Sequence, residues 1–274
     1  MYKIVADSSC ELKTVTKVPS IIYNEDVTYV DDGTMDITDM LDRFASYKGR
    51  TYSACSGGTA WTDAFEGSDE IYAITLTSSL SGIYNAALSA AEMYKQEHPE
   101  VKIHVFDSLS VGPSMVLMAE KIQELKNQEM EFEEVVKQVT NYQKNLRLFF
   151  TLESLHNLAQ NGRVNKVIAS AIGALGIRIM ATASKAGVIE AIGKCRGDKK
   201  TVAVLMKQLQ DCACSGKKIR ISHVENENLA LMMARAMRVA YPEADIAIRP
   251  ASGAISYYGE RGAVLVACEG SWPE

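Results

Sequence analysis

Strand-like runs that end in the same kind of polar turn and then feed a helix constrain this chain more than any other feature. Lys3-Ile4-Val5-Ala6 runs into Asp7-Ser8-Ser9, Ile71 to Leu76 into Thr77-Ser78-Ser79, and Val101 to Phe106 into Asp107-Ser108-Leu109. Helices are predicted from about Ser81 to His98 and from about Val111 to Asn127, behind the second and third of these turns. This strand, helix, strand rhythm calls for parallel pairing with right-handed crossovers, hence an α/β layered domain. A further β region is predicted over Ile21 to Val30, closed by Asp31-Asp32-Gly33.

In open parallel sheets, ligands sit beyond the carboxyl ends of the strands. Strands ending in DSS, TSS and DSL therefore predict one polar rim assembled from several loops. Each turn alone has a plainer explanation, because Asp and Ser cap the helices that follow them. The recurrence is what favours a site, with Ser9, Gly82, Asp107 and Ser108 on its rim.

The character changes near residue 150, which divides the chain into an expected α/β domain over 1–150 and a mixed-sheet α+β domain over 151–274. Phe149 to Leu152 reads as a strand leading into a helix from Leu155 to Gln160, stopped by Asn161-Gly162. Ile168 to Ile179, IASAIGALGIRI, is apolar and rich in small residues, which on a helix let another helix or a ligand approach closely. Strands are predicted at Val188–Ile192, Ile219–His223, Asp245–Ile248 and Ala263–Cys268, with helices at about Thr201 to Cys212 and Glu227 to Ala240. Few parallel crossovers are evident there, and no repeat or long linker separates the halves.

A length of 274 residues allows a substantial core, and 47% hydrophobic with 23% charged residues is ordinary for a soluble globular protein. A net charge of -5 without a basic, aromatic-laced stripe argues against a nucleic-acid partner. No apolar run approaches the roughly 20 residues that span a bilayer, and MYKIVADSSC lacks the features of a signal peptide. A cytoplasmic protein with no integral membrane segment is expected. The six cysteines are expected to be reduced, and Cys212-Ala213-Cys214 lacks the spacing and second ligand pair of a zinc site. The four histidines show no metal-binding spacing, and neither a metal nor another cofactor is called for.

Catalytic signatures are thin. Leu80-Ser81-Gly82 carries half of a G-x-S-x-G elbow, and His223 and Asp107 complete a triad only if the fold brings them together. Gly57-Gly58 begins no recognisable phosphate-binding motif. What remains is a site rich in hydroxyls and poor in fixed charge, suited to a carboxylate or carbonyl head group with an apolar tail.

These motifs, in this order, resemble the DegV family over nearly the whole chain. The likeness runs through the Asp7–Ser9 turn, Ser53-Ala54-Cys55-Ser56-Gly57, LTSSLSGIYNAA, Asp107-Ser108, LHNLAQNGRVNK at Leu155 to Lys166, Arg196-Gly197-Asp198-Lys199-Lys200 and the strand ending in His223. The resemblance implies a two-domain fold, a parallel-sheet α/β/α domain followed by a mixed-sheet α+β domain, with a long-chain fatty acid held between them. It implies that Ser81 and Ser53 bind the carboxylate, or Tyr52 in place of Ser53 if the loop slips by one. The family's late H-x-G-P-G segment is replaced by Tyr257-Tyr258-Gly259-Glu260-Arg261-Gly262, so the phenol of Tyr257 stands in for a missing histidine.

The segment IASAIGALGI is read as one wall of the acyl tunnel, through Ile168, Ile172, Leu175 and Ile179. Ordinary core packing explains its composition equally well. The family resembles the acyl-binding subunit of a bacterial fatty acid kinase, which implies a non-catalytic protein that presents its lipid to a separate kinase. Arg163 and Arg196, with Lys166, Lys199 and Lys200, are the candidate partner-binding residues. A serine-dependent acyl hydrolase and a carrier of a different amphiphile stand as the alternatives.

Overall fold

A computed structural model describes residues 1–164 and 176–272. Strands β1 (Tyr2–Asp7), β2 (Thr16–Val18), β6 (Glu70–Thr75) and β7 (Lys102–Asp107) form a four-stranded sheet in the order β2-β1-β6-β7, parallel throughout. Helices α2 (Gly58–Phe65) and α3 (Ile83–Glu97) cover one face, burying Trp61, Phe65, Ile83 and Ala87 against Val5, Ile71 and Ala73.

The second sheet has six strands and is mixed. Its order is β10 (Ile189–Arg196), β9 (Ile177–Ala183), β8 (Leu146–Leu152), β13 (Val264–Glu269), β11 (Lys218–His223) and β12 (Asp245–Pro250). All its pairings are antiparallel except β11 with β12. Every residue of β8 is buried, and period-2 alternation sorts them between two cores. Leu148, Phe150 and Leu152 face the first sheet, while Phe149 faces α7 (Asp198–Asp211) and α8 (Glu227–Ala240) on the far side.

Between the sheets lies α4 (Pro113–Asn127), packed on β6 from one side and on β8, β11 and β13 from the other. Its first turns, Pro113 through Ala119, are buried without a break. A helix apolar all round is what a central layer requires. Helix α5 (Phe132–Gln143) packs beside it.

Two expectations are corrected. Ile21 to Val30 is not one strand: Asn24 Oδ1 accepts from Asp26 N (2.9 Å) and Val27 N (2.8 Å) and folds the chain into an antiparallel hairpin, β3 (Ser20–Tyr23) and β4 (Thr28–Val30). With β5 (Tyr52–Cys55) this hairpin makes a separate three-stranded sheet, tied by α1 (Ile37–Ser46) to the rest. The helix expected through Ile179 is also overturned at that residue. Ile179 sits in β9, opposite Leu152 and Lys194, because two neighbouring strands satisfy its backbone. Ile168, Ile172, Leu175 and Lys166 lie outside the described residues.

Candidate ligand-binding site

Because the first sheet is parallel, Asp7, Thr75 and Asp107 bring their loops to a common edge. The loops are stitched together there. Asp7 accepts from Ser9 N (2.9 Å) and, across strands, from Leu76 N (2.6 Å). Asp107 Oδ1 accepts from Ser78 N (3.1 Å) and Leu109 N (3.1 Å), and Thr77 N donates to Ser110 O (2.9 Å). Burial pushes the Asp7 carboxyl up to about 6, against the pull of the two backbone donors.

These loops face the mixed sheet across a cavity of about 310 Å³. Its apolar floor comes from Leu148, Phe150 and Leu152 of β8 with Leu265 of β13, and Leu76, Leu80 and Val111 continue it along the loops. Ser9, Ser53, Ser81, Ser110, Thr77 and Tyr258 supply hydroxyls to the wall. Ser110 Oγ is buried and has no hydrogen-bond partner among the described residues, so a polar ligand atom would meet a ready donor there. Among the described lining residues only Arg163 is charged, and none is a carboxylate or a histidine.

Arg163 follows α6 (His156–Gln160) at the exposed mouth. Its Nε donates to Leu80 O at 2.9 Å and its NH1 donates to Asn161 O. The chain is closed on this side by the turn between β9 and β10. Gly187 has φ +74° there, and a Cβ would stand 2.1 Å from Thr77 Oγ1. Ser79 Oγ donates to Ala186 O at 2.6 Å, so this serine bridges to the second sheet rather than capping α3. Ser81 Oγ accepts from Ile83 N at 3.3 Å while lining the cavity.

The rim also takes a short helix, α9 (Gly253–Gly259), hung from the N-terminal half of the chain. Asp31 accepts from Gly253 N (2.9 Å) and Ala254 N (2.8 Å), and burial raises its pKa against those bonds. This helix projects Tyr258 to the wall, where its phenol and Ser53 Oγ share a 2.7 Å hydrogen bond.

The fold thus brings Ser9, Ser53, Ser81, Gly82 and Arg163 to one cavity. Tyr257 does not line the cavity: it is fully buried, its phenol held by Thr51 Oγ1 (2.8 Å) and Asn161 Nδ2 (2.9 Å). Asp107 and Ser108 are likewise off the wall, the first serving backbone donors and the second donating to Ser110 O at 2.9 Å. Ile179 is packed in the core, and Arg196 is exposed at the end of β10. His223 and Asp107 do not join Ser81 on the cavity wall, so the triad required of a serine hydrolase is not assembled around it. Sequence reading missed Tyr258 and Ser110. Tyr258 was adjacent to the residue chosen, but on a helix consecutive side chains point about 100° apart.

A protein of this design is a layered α/β protein of three sheets, with a cavity between its parallel and mixed sheets. The chain belongs to the DegV family: the model described as uncharacterised protein, DegV family, matches residues 1–269. A DegV domain-containing protein of Streptococcus pneumoniae is 37% identical over 277 residues, covering 98% of this chain and 99% of the relative. Among solved structures, a DegV family protein from Eubacterium eligens loaded with heptadecanoic acid is 45% identical, with a TM-score of 0.96 over 99% of this chain and 100% of that one. The Fatty Acid Kinase (Fak) B3 protein of Streptococcus pneumoniae loaded with linoleic acid is 37% identical, with a TM-score of 0.96 over 98% and 99% of the two chains. Among the described residues no helix is long and apolar enough to cross a membrane.

Proposed function

We propose that this protein binds a long-chain fatty acid and presents its carboxylate, in the cytoplasm, to a separate kinase that forms the acyl phosphate. The observation that carries this reading is the cavity wall itself: an apolar floor, a hydroxyl rim, and Arg163 as its one charge among the described residues. An anionic head group needs donors and a cation, and the wall offers both beside its apolar floor. Ser53, Ser81 and Tyr258 are the carboxylate's hydroxyl partners in this scheme, with Arg163 at the mouth.

The tail supplies most of the affinity. At about 0.8 kcal/mol per buried methylene, about fourteen methylenes represent on the order of 11 kcal/mol of transfer free energy. Each head-group hydrogen bond nets only about 1 kcal/mol after desolvation. The lipids carried by the two solved relatives and the kinase in the name of one of them support the reading. The absence of an acid or imidazole beside the serines, among the described lining residues, supports a carrier that leaves the chemistry to its partner.

Native mass spectrometry of the purified protein, followed by solvent extraction, tests the proposal. The expected result is one bound mass that extracts as palmitate, stearate or oleate. A different amphiphile would replace the ligand class, and a protein that is empty and takes up no offered fatty acid would overturn the carrier reading. Acyl phosphate formation on adding a bacterial fatty acid kinase catalytic subunit and ATP tests the second half.

A further inference from the structure

We propose that Cys214 and Cys268 form an oxidisable dithiol on the face of the mixed sheet opposite the cavity, Cys214 attacking and Cys268 resolving. All six cysteines are free thiols, and three of them, Cys212, Cys214 and Cys268, pack in or against one hydrophobic cluster. Alternation along β13 sends Leu265 to the cavity side and Cys268 to the α7/α8 side, so this cluster is walled off from the lipid site by the sheet.

The meeting is built by the backbone. After α7, Ala213 adopts a left-handed conformation (φ 47°), and Cys214 N turns back to Leu209 O at 2.9 Å. Ser215 N then donates to Glu269 O at 2.8 Å, which clips this turn to the residue following Cys268. The Cys268 side chain interacts with those of both Cys212 and Cys214. Arg147, the cross-strand partner of Cys268, puts a guanidinium beside the group, 3.6 Å above the ring of Trp272. Among the described residues no set of three His, Cys, Asp or Glu is arranged to hold a metal ion.

The three thiols are not equivalent. Cys212 and Cys268 are buried, while Cys214 is half-buried and open to a small oxidant. The neighbouring Cys268 side chain, with smaller help from the Gly216 backbone and the Tyr241 phenol, brings the Cys214 thiol down to about 7 against the effect of burial. Attack by the thiolate rather than the thiol is what peroxide chemistry needs. With a hydroperoxide as the oxidant, the Cys214 thiolate displaces alkoxide or hydroxide from the O–O bond and becomes a sulfenic acid. The leaving oxygen takes a proton from solvent. The Cys268 thiol then attacks the sulfenic sulfur, the S–O bond breaks, and its proton leaves with the oxygen as water. Two thiols and one hydroperoxide give one disulfide, one alcohol or water, and one water.

The test is peptide mapping of the full-length reduced protein after hydrogen peroxide, alkylation and tryptic digestion without reductant. The expected product is the peptide 208–217 joined to 262–274 and released by dithiothreitol. Cys214→Ser abolishes this cross-link, and Cys268→Ser leaves a sulfenic acid on Cys214 that dimedone traps. Should the buried Cys268→Ser variant fail to fold, fragmentation of the cross-linked peptides from the unsubstituted protein decides, because it shows whether Cys214 or Cys212 carries the bond to Cys268, the latter overturning the proposal. A Cys214 that stays alkylatable while the exposed Cys55 is oxidised overturns the proposal. So does a bond confined to Cys212 and Cys214, or oxidation to sulfinic acid with no cross-link.

Discussion

The hydroxyl of Ser53, in β5, lies 2.7 Å from the phenolic oxygen of Tyr258, in α9, and joins two distant parts of the chain across the cavity rim. The adjacent Tyr257 makes the opposite commitment, spending its phenol on Thr51 and Asn161 inside the protein. Tyr258→Phe should keep the fold and weaken fatty acid binding by about 1 kcal/mol, roughly fivefold, in a displacement titration. Tyr257→Phe should lower stability by about 1–2 kcal/mol in urea unfolding, with lipid affinity little changed. The reverse pattern would return the head-group role to Tyr257.

Arg163 is exposed, so its charge acts through solvent and is worth little more than a surface ion pair. Arg163→Met should weaken binding of the fatty acid anion by about 1 kcal/mol at low salt. Affinity for the corresponding methyl ester should not move, since the ester offers no charge to the guanidinium. Equal losses for acid and ester would show that Arg163 contributes packing alone.

Gly187 is where the β9–β10 turn meets the Thr77 loop, with φ +74° and no room for a methyl group beside Thr77 Oγ1. Gly187→Ala should cost at least about 1–3 kcal/mol from the backbone strain, measured by thermal or urea unfolding. The rim should open with it, so lipid retention falls as well. A variant with unchanged stability would mean that the turn relaxes away from Thr77.

Glu11 is buried, its Oε2 accepting from Ser222 Oγ at 2.7 Å and its Oε1 unpartnered among the described residues. Burial pushes its pKa up from 4.5 to about 8, despite the attraction of Arg249 and Lys17. For an acid whose folded pKa is raised, the native state binds the proton more tightly than the unfolded chain. Its favourable contribution is complete below pH 4.5 and is lost as the pH rises through about 8. Each unit of difference is about 1.4 kcal/mol, so the loss is on the order of a few kcal/mol. Glu11→Gln should flatten this part of the stability profile, and denaturant unfolding of both proteins from pH 4.5 to 8 checks it. Parallel profiles would sink the assignment.

Much of the architecture was legible because it is written in local patterns. The strands ending in Asp7, Thr75 and Asp107 each show a short apolar run followed by turn residues, and α3, α4 and α8 show long helical segments. The start of β9, Ile177 to Ile179, reads as the end of a helix because a short apolar stretch has no period that separates the two. Its neighbours decide: β10 returns beside it as a hairpin, and β8, which sets Leu152 opposite Ile179, comes from an earlier part of the chain. β2 and β5, each only a few residues long, and the short α9 exist through what they pair with or hang from, as α9 does on Asp31.

The sequence by itself determined the parallel first sheet, the hydroxyl-bearing loops at its carboxyl edge and the serines that a polar rim requires. Only the tertiary structure decided which polar groups reach the cavity. It set Tyr258 rather than Tyr257 on the wall, spent Asp107 on backbone donors of its own loop and of the Ser78 loop, and turned Arg163 to the mouth. The physical reason is that hydrogen-bond partners compete. A side chain's type says what it can bind, whereas long-range packing says which partner arrives first and which groups remain free for a ligand.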